Sequence, residues 1–362
     1  MYPAPSQSNP MLGETFEDIR LGFIAEKVSH HPPIMACHAH GDGWEFWCTS
    51  GAKNKFWGKF NPSLEIIPMG AAYVRIGDEV YSWQKPSSFM RNLIAGNRYL
   101  EHVGPMSITS TAGHRCDLDF KEGGFWGSTL NHVGGSILSP DSKIVSKIEG
   151  TWHEGLSQHL DTKGSHLKVL WRPNPFPPFA DQYYGFTGFT ITLNELTPDL
   201  VGVVPPTDSR LRPDQRAMEE GRIDDADRLK IQLEEGQRAR RRAREEAGEE
   251  WKPQWFEQGT DGEWKYKGGY WETRKTGKWN PVSPGGTWPW HNEVHVAACG
   301  VLQRPYLVCR LHLMEEIAPI ARFRLCGLCS VSLSDVMVEG SLPDVPLFAL
   351  RNLLRLAVLT RL

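Results

Sequence analysis

The sequence predicts a mainly β protein with flanking helices, built from consecutive antiparallel strands in a meander or barrel. From Gly43 to about Leu196, short segments alternate polar and apolar residues, and Gly, Asn, Asp or Pro separates them. No helical run of about 10–15 residues stands between successive strands, which argues against a doubly wound α/β sheet. A hydrophobic content of 40% suffices for a buried core, so wholesale disorder is excluded.

The strand signals follow one another closely along the chain. The first group of predicted strands is WEFWCTS (44–50), KFWGKF (55–60), AAYVRI (71–76), EVYSW (79–83), MSITST (106–111), RCDLDF (115–120), KIVSKIEGTW (143–152), HLKVLW (166–171) and GFTGFTITLNEL (185–196). After Trp251, further aromatic strands are predicted in WKPQWFEQ, EWKYKGGYW and GKWNPV.

Helical signals begin after Pro205. Pro213 suits the first helical position, and Gly221 stands where such a helix would end. A longer helix is predicted from about Asp224 to Ala247, with Asp224 and Asp225 available as N-caps. Its apolar stripe is short and consists of Ala226, Leu229 and Leu233. Its C-terminal part is basic and contains Arg238, Arg240, Arg241, Arg242 and Arg244.

The composition argues against several classes of protein. The 40 Lys and Arg residues nearly balance 43 Asp and Glu residues, which argues against a nucleic-acid-binding protein. Seven cysteines are too few for a disulfide scaffold and indicate a reducing, intracellular compartment. Residues 1–10 lack the features of a secretory signal, and no uncharged run reaches the ~20 residues of a membrane-spanning helix. We expect a cytoplasmic protein.

The densest unusual segment is EKVSHHPP at residues 26–33. We expect His30 and His31 to point to opposite sides of an extended chain, and the prolines after them stiffen the backbone. Two imidazoles can donate hydrogen bonds to a phosphate, so the pair could bind an anion. The alternative is a turn in which hydrogen-bonded histidines have no ligand.

Two catalytic uses of this segment are weaker on the residues alone. As metal ligands, the histidine pair could combine with His38 and His40, but adjacent histidines rarely converge on one ion and no carboxylate set of the hydrolase type lies nearby. As a nucleophile pair, Ser29 and His30 lack the G-x-S-x-G elbow and a third member. We therefore predict no metal site, no cofactor and no enzymatic activity.

A second constellation lies on the longer predicted helix. Lys230, Glu234 and Arg238 follow one another at steps of four residues and therefore share one helix face. The two cations could hold a polyanionic head group while Glu234 positions both of them. The alternative is a pair of ordinary i,i+4 salt bridges worth about 0.3–0.5 kcal/mol each.

EKVSHHPP resembles the fingerprint of the oxysterol-binding protein family, which is usually E-Q-V-S-H-H-P-P, with Lys27 in place of the usual Gln. Other segments resemble family motifs and follow the family's order. They are NPMLGETFE (9–17), NKFWGKF (54–60), WQKPSSFMRNLIAGNRYLEHVG (83–104), PPTDSRLRPDQRAMEEG (205–221), the K-x-x-x-E-x-x-x-R helix and GGYWE (268–272). The resemblance covers roughly residues 9–281.

The resemblance implies an incomplete antiparallel β-barrel that encloses a lipid tunnel and is flanked by helices. It also implies a carrier that exchanges a sterol, or phosphatidylserine, for phosphatidylinositol 4-phosphate (PI4P) between membranes. In such a carrier His30 and His31 would contact the 4-phosphate, while Lys230, Glu234 and Arg238 would surround the inositol phosphate at the tunnel mouth. We assign this domain to residues 1–285 and leave 286–362 as an unassigned tail rich in Leu, Cys and Arg.

Two departures from the family pattern bear on function. Ser6 stands where the family has a Lys that binds the head group, and little precedes Asn9 where the family places a lid and the first barrel elements. These departures predict a truncated domain that binds phosphoinositide-containing membranes better than it carries sterol. We also expect residues after about 290 to be dispensable for lipid binding.

The sequence thus predicts a cytoplasmic lipid-binding and lipid-transfer protein that associates peripherally with intracellular membranes and takes sterol and PI4P as ligands. The alternatives are a non-transferring phosphoinositide sensor or scaffold, and a metal-dependent hydrolase that uses His30 and His31. A lipid-transfer assay separates the first two, and elemental analysis for a bound metal tests the third.

Overall fold

A computed structural model describes residues 9–58, 62–124, 129–161, 163–183, 185–279, 282–283 and 286–287. These residues fall into two compact units. The first comprises residues 9–39 with the described residues from 176 onward, and the second comprises the described residues of 40–175. Ser6 and nearly all of the tail at 286–362 lie outside the described residues, so the expectations for them and the domain boundary at 285 stay predictions.

Three antiparallel strands come first: β1 (Thr15–Asp18), β2 (Phe23–His30) and β3 (Pro33–Gly41). β2 pairs with both of the others, and Glu26 of β2 lies opposite Thr15 of β1. Because β2 is the middle strand, its residues from Ile24 to Val28 are all buried. The register of β2 against β3 shifts between Lys27 and Ser29, so the pairing is irregular just before the histidine pair.

The second unit is an antiparallel sheet of mostly short strands. They are β4 (Trp44–Trp57), β5 (Ser63–Met69), β6 (Ala72–Ile76), β7 (Glu79–Trp83), β8 (Ser87–Arg91), β9 (Tyr99–Ser110), β10 (Arg115–Phe120), β11 (His132–Leu138), β12 (Ile144–Thr151), β13 (Gly155–His159) and β14 (Leu167–Trp171). Their order is β4-β5-β8-β9-β10-β11-β12-β13-β14, while β6 pairs with β4 and β7, and β7 with β9.

This sheet has an open edge. Within the part of the chain that the structure describes, β14 pairs with β13 alone, so the strands form an incomplete barrel. The core of the unit comes from alternate strand residues, as on β10, where Cys116 and Leu118 are buried and Arg115 is exposed. Each buried side chain of the size of Leu118 stabilises the fold by roughly 1.5–3 kcal/mol. The predicted mainly antiparallel fold class is confirmed.

The long strand β4 joins two segments that the sequence pattern treats as separate strands, namely WEFWCTS and the first three residues of KFWGKF. β4 pairs with β6 at Trp44–Cys48 and with β5 at Gly51–Trp57. β9 similarly divides its pairing between β8 and β7. The two halves of such a strand pair with different strands, so the surroundings of its side chains change along its length. The alternation of polar and apolar residues therefore does not reveal one continuous strand.

The later part of the first unit is mainly helical. Its helices are α1 (Gly188–Thr192), α2 (Pro213–Glu219), α3 (Ile223–Ala247) and α4 (Tyr270–Thr276), and its short strand pairs are β15 (Phe256–Gln258) with β16 (Trp264–Tyr266) and β17 (Val282–Ser283) with β18 (Gly286–Thr287). The two helices predicted after Pro205 are confirmed as α2 and α3. No described helix is long and apolar enough to cross a membrane.

The strand predicted at residues 185–196 is wrong, because this segment contains α1. Thr187 caps the helix: its side-chain oxygen accepts a hydrogen bond from the backbone N–H of Thr190. The aromatic strand predicted through GGYW is also too long, since β16 ends at Tyr266 and Tyr270 begins α4. In both places the strand preference of Phe, Tyr, Trp and Thr is overridden. A side-chain cap begins α1, whereas the N-cap Gly269 of α4 makes no side-chain capping hydrogen bond.

The predicted caps of α3 are also wrong. Arg222 is the N-cap residue and its side chain makes no capping hydrogen bond. Asp224 and Asp225 lie in the first turn, where a negative charge is favourable beside the helix N-terminus. Asp225 forms ion pairs with Arg222 at 2.8 Å and Arg228 at 2.9 Å.

Candidate functional site

The EKVSHHPP segment forms the end of β2 and the tight turn into β3. His30 is the last residue of β2 and is partly buried, whereas His31 is exposed in the turn. The ring centroids of the two histidines are 4.6 Å apart in an edge-to-face arrangement. The expectation that they point to opposite sides is therefore wrong, because the strand ends between them and strand alternation no longer applies to His31.

Helix α3 lies against the histidine pair. Nε2 of Gln237 is 3.4 Å from Nε2 of His30, and Nη1 of Arg241 is 3.2 Å from Nε2 of His31. The backbone N–H of Leu12 donates to Oε1 of Gln237 at 3.0 Å. These contacts join α3 to two segments that lie 207 or more residues earlier in the sequence.

The sequence pattern misses Gln237 and Arg241. A signal for them exists, because both continue a row of residues at steps of four that begins with Leu233. Leu233 is buried and packs with Met11, so the row that starts there faces the protein. Extending this buried row along α3 would have found both side chains.

The predicted residues Lys230, Glu234 and Arg238 occupy a neighbouring row of α3. Arg238 and Glu234 form the expected i,i+4 ion pair at 3.2 Å, and their side chains are 58% and 42% exposed. Lys230 is half-buried. Glu234 is close enough to His30 to act on it electrostatically. The structure thus brings Glu234 to the histidine pair, with Arg238 paired to it at the surface.

The charges around His30 are mostly positive. Burial lowers the pKa of His30, and His31, Lys27 and Arg241 lower it further, whereas Glu234 acts in the opposite direction. Burial also lowers the pKa of Lys27, which is only 4% exposed, and nearby Glu14 opposes this shift. Such a group of cations and imidazoles attracts an anion and offers it several N–H donors.

A buried ion network holds the segment beside α3 in place. Arg212 donates to Glu14 at 2.9 Å and to Asp214 at 2.8 Å. Glu14 also accepts a hydrogen bond from the backbone N–H of Met11 at 2.7 Å, and Arg212 donates to the carbonyl of Asn9 at 3.0 Å. Residues 9–14 are therefore fixed where Leu12 can reach Gln237.

The four histidines considered as metal ligands do not come together. His38 lies opposite Ile24 on β2, six residues along the strand from His30, which is a separation of roughly 20 Å. It is buried and stacks on the ring of Tyr266 at 4.7 Å. Across the described residues, no three His, Cys, Asp or Glu side chains are grouped as metal ligands.

The sequence matches a known protein family over most of its length. The family model described as "Oxysterol-binding protein" matches residues 7–275. The chain belongs to the oxysterol-binding protein family. It is 42% identical over 280 residues to Oxysterol-binding protein-related protein 1B of Arabidopsis thaliana, which covers 75% of this chain and 56% of that protein. It is 41% identical over 276 residues to Oxysterol-binding protein-related protein 3 of Mus musculus, which covers 74% and 32%.

The chain therefore spans about half of the first of these relatives and a third of the second.

Solved structures of the family share its fold. The Osh3 ORD in complex with PI(4)P, from Saccharomyces cerevisiae, superimposes with a TM-score of 0.67 at 36% identity and covers 76% of this chain and 73% of that one. The Osh1 ORD in complex with cholesterol gives 0.66 at 32% identity and covers 75% and 70%.

Proposed function

We propose that the chain binds lipids and exchanges a sterol, or another lipid, for PI4P between intracellular membranes. Membership of the oxysterol-binding protein family supports lipid binding as the general class. The similar Osh3 domain was solved with PI(4)P, and the similar Osh1 domain with cholesterol and with ergosterol. We extend both ligands to this chain, without enzymatic chemistry, and place it in the cytoplasm at membrane surfaces.

One observation carries the proposal, namely the positive charge and the N–H donors gathered at the histidine pair. His30 and His31 are in ring contact, and Arg241 and the buried Lys27 stand beside them. A phosphate monoester carries nearly two negative charges at neutral pH and accepts several hydrogen bonds. A phosphorylated lipid head group therefore fits this arrangement better than an uncharged or cationic one.

The helix row Lys230, Glu234 and Arg238 supports binding of the rest of the head group. Arg238 is held by Glu234 but remains more than half exposed, so its guanidinium can still meet an anion. In the proposal the histidine pair holds the 4-phosphate and this row approaches the inositol ring and its phosphodiester. An uncharged lipid such as a sterol gains nothing from these cations. In the proposed exchange, the site would therefore distinguish the two ligands by their charge.

The proposal is tested by lipid transfer between liposomes. Donor vesicles carry a fluorescent sterol, acceptor vesicles carry PI4P, and a PI4P-binding probe reports the reverse movement. We expect the protein to move both lipids and the PI4P gradient to accelerate sterol transfer. Binding to PI4P liposomes without any transfer would identify the non-transferring sensor instead. A protein that neither binds PI4P liposomes nor transfers either lipid would refute the proposal.

A second measurement identifies the counter-lipid. Lipids that copurify with the protein from cells are extracted and identified by mass spectrometry. A sterol or phosphatidylserine found together with PI4P supports exchange and names the second ligand. An exposed histidine of the second unit, His132, offers a control, since H132A should leave both transfer and the copurified lipids unchanged.

A further inference from the structure

Two side chains of α3 contact the same kind of atom on the two histidine rings. Gln237 meets Nε2 of His30 at 3.4 Å, and Arg241 meets Nε2 of His31 at 3.2 Å. Because positions 237 and 241 are about one helical turn apart, a single face of α3 reaches both rings.

The chemistry of these two side chains sets the direction of both hydrogen bonds. A guanidinium has donors only, so Nε2 of His31 accepts from Arg241. The amide of Gln237 is oriented by the backbone N–H of Leu12, which must face an oxygen, so its NH₂ group faces His30. Nε2 of His30 therefore also accepts. A neutral imidazole whose Nε2 accepts carries its proton on Nδ1.

We infer that α3 selects the tautomer of both histidines and thereby determines which ring atom meets the phosphate. Gln237 and Arg241 are positioning residues that hold His30 and His31 with the proton on Nδ1, and this N–H is the donor offered to the ligand. Nδ1 of His30 is buried and has no partner within the described residues. A buried donor without an acceptor costs free energy, which an arriving phosphate oxygen would recover.

The charged groups that face His30 agree with a neutral ring. Lys27 on β2, His31 in the turn and Arg241 on α3 all disfavour a further positive charge there, and Glu234 on α3 is the opposing group. Glu14, from the segment before β1, acts on Lys27. The inference rests on the proposed function for the identity of the acceptor, whereas the tautomers themselves are a property of the protein without its ligand.

The tautomers are measured by long-range proton–nitrogen NMR on the lipid-free protein with ¹⁵N-labelled histidine, assigned with H30A and H31A. We expect Nδ1 to carry the proton in the neutral form of both rings. Q237E tests the cause. A carboxylate at position 237 still accepts the hydrogen bond from Leu12 but has no N–H to donate to His30. His30 would then have to donate, so its proton should move to Nε2. The exposed Gln232 of α3 provides the control Q232E, which should change nothing.

Arg241 is tested in the same way. R241M removes the donor and should leave His31 as a mixture of tautomers, whereas R241K retains a donor and should preserve Nδ1–H. R242M, at an exposed arginine one position further on, is the matched control. An Nε2–H tautomer at either ring of the unsubstituted protein overturns the inference, as does a Q237E variant whose His30 keeps its proton on Nδ1.

The donor atom is tested by PI4P binding to two amide substitutions of His30. Asparagine places its NH₂ near the position of Nδ1, and glutamine places its NH₂ near that of Nε2. We expect H30N to bind PI4P liposomes about tenfold more tightly than H30Q. Equal affinities or the reverse order would overturn the assignment of Nδ1. If the unsubstituted protein has both Nδ1–H tautomers but binds no PI4P, the proposed function fails and the tautomer assignment stands.

Discussion

Glu26 and Trp255 are joined by a 2.8 Å hydrogen bond from the Trp255 backbone N–H to the buried Glu26 carboxylate. The other carboxylate oxygen of Glu26 accepts from the backbone N–H of Gln254, also at 2.8 Å. The first residue of the EKVSHHPP segment therefore has a structural role. It attaches β2 to the chain that leads into β15, next to the core formed by Ile24, Trp255 and Tyr270.

The buried carboxyl group of Glu26 predicts a pH dependence of stability. Burial raises its pKa from 4.5 to about 7, against the effect of the backbone hydrogen bonds. Between these values the folded state binds the proton more tightly than the unfolded state, so the free energy of unfolding should fall as pH rises through this window, by at most ~1.4 kcal/mol per pH unit.

This dependence is measured by urea denaturation at a series of pH values from about 5 to 8. The E26Q variant cannot titrate at this position, so its unfolding free energy should lack that component of the decrease. Glu14 is also buried with a raised pKa, and it remains in both proteins, so the difference between them isolates Glu26. Parallel pH profiles for the two proteins would contradict the assignment.

The histidine pair should carry much of the affinity for PI4P. Replacing both residues in H30A/H31A removes two hydrogen bonds to a charged group, each worth about 1.5–3 kcal/mol before compensation. We expect PI4P binding to liposomes to fall at least about tenfold while the melting temperature stays near that of H132A. Unchanged affinity in the folded double variant would refute the phosphate assignment.

Lys27 should affect stability and binding in opposite directions. Its ammonium is buried with a lowered pKa, so replacing it in K27M removes the cost of burying a charge. We expect the unfolding free energy to rise by about 1 kcal/mol and PI4P affinity to fall several-fold. K53M, at an exposed lysine of β4, is the control. A K27M variant that loses both stability and affinity would show that Lys27 is structural only.

Arg212 should be essential for the segment that carries Leu12. Its guanidinium pairs with Glu14 and Asp214, and all three side chains are almost fully buried. R212M leaves two buried carboxylates without their partner, which should cost about 3–5 kcal/mol of unfolding free energy. Urea denaturation measures the loss, with R242M as the surface control. A loss below about 1 kcal/mol would mean that water or another cation reaches the site.

The sequence by itself determined the elements whose signals are local. Alternating residues indicated several antiparallel strands of the second unit, such as β6 and β10, and Pro213 and Gly221 marked α2. Side-chain alternation and helix ends depend on neighbouring residues only. The EKVSHHPP segment and the row Lys230, Glu234 and Arg238 were also recognisable, since their spacing is a property of one segment each. Most strands in which polar and apolar residues do not alternate clearly, such as β2, were not predicted.

Only the tertiary structure decided which atoms meet at the site. Gln237 and Arg241 face the histidines because the burial of Leu233 against Met11 sets the rotation of α3, and the Arg212–Glu14 pair fixes the partner segment from 198 residues away. The local pattern of a charged helix does not specify its rotation about its own axis. That rotation follows from the burial of a few apolar contacts and ions, which exist only when distant parts of the chain have packed together.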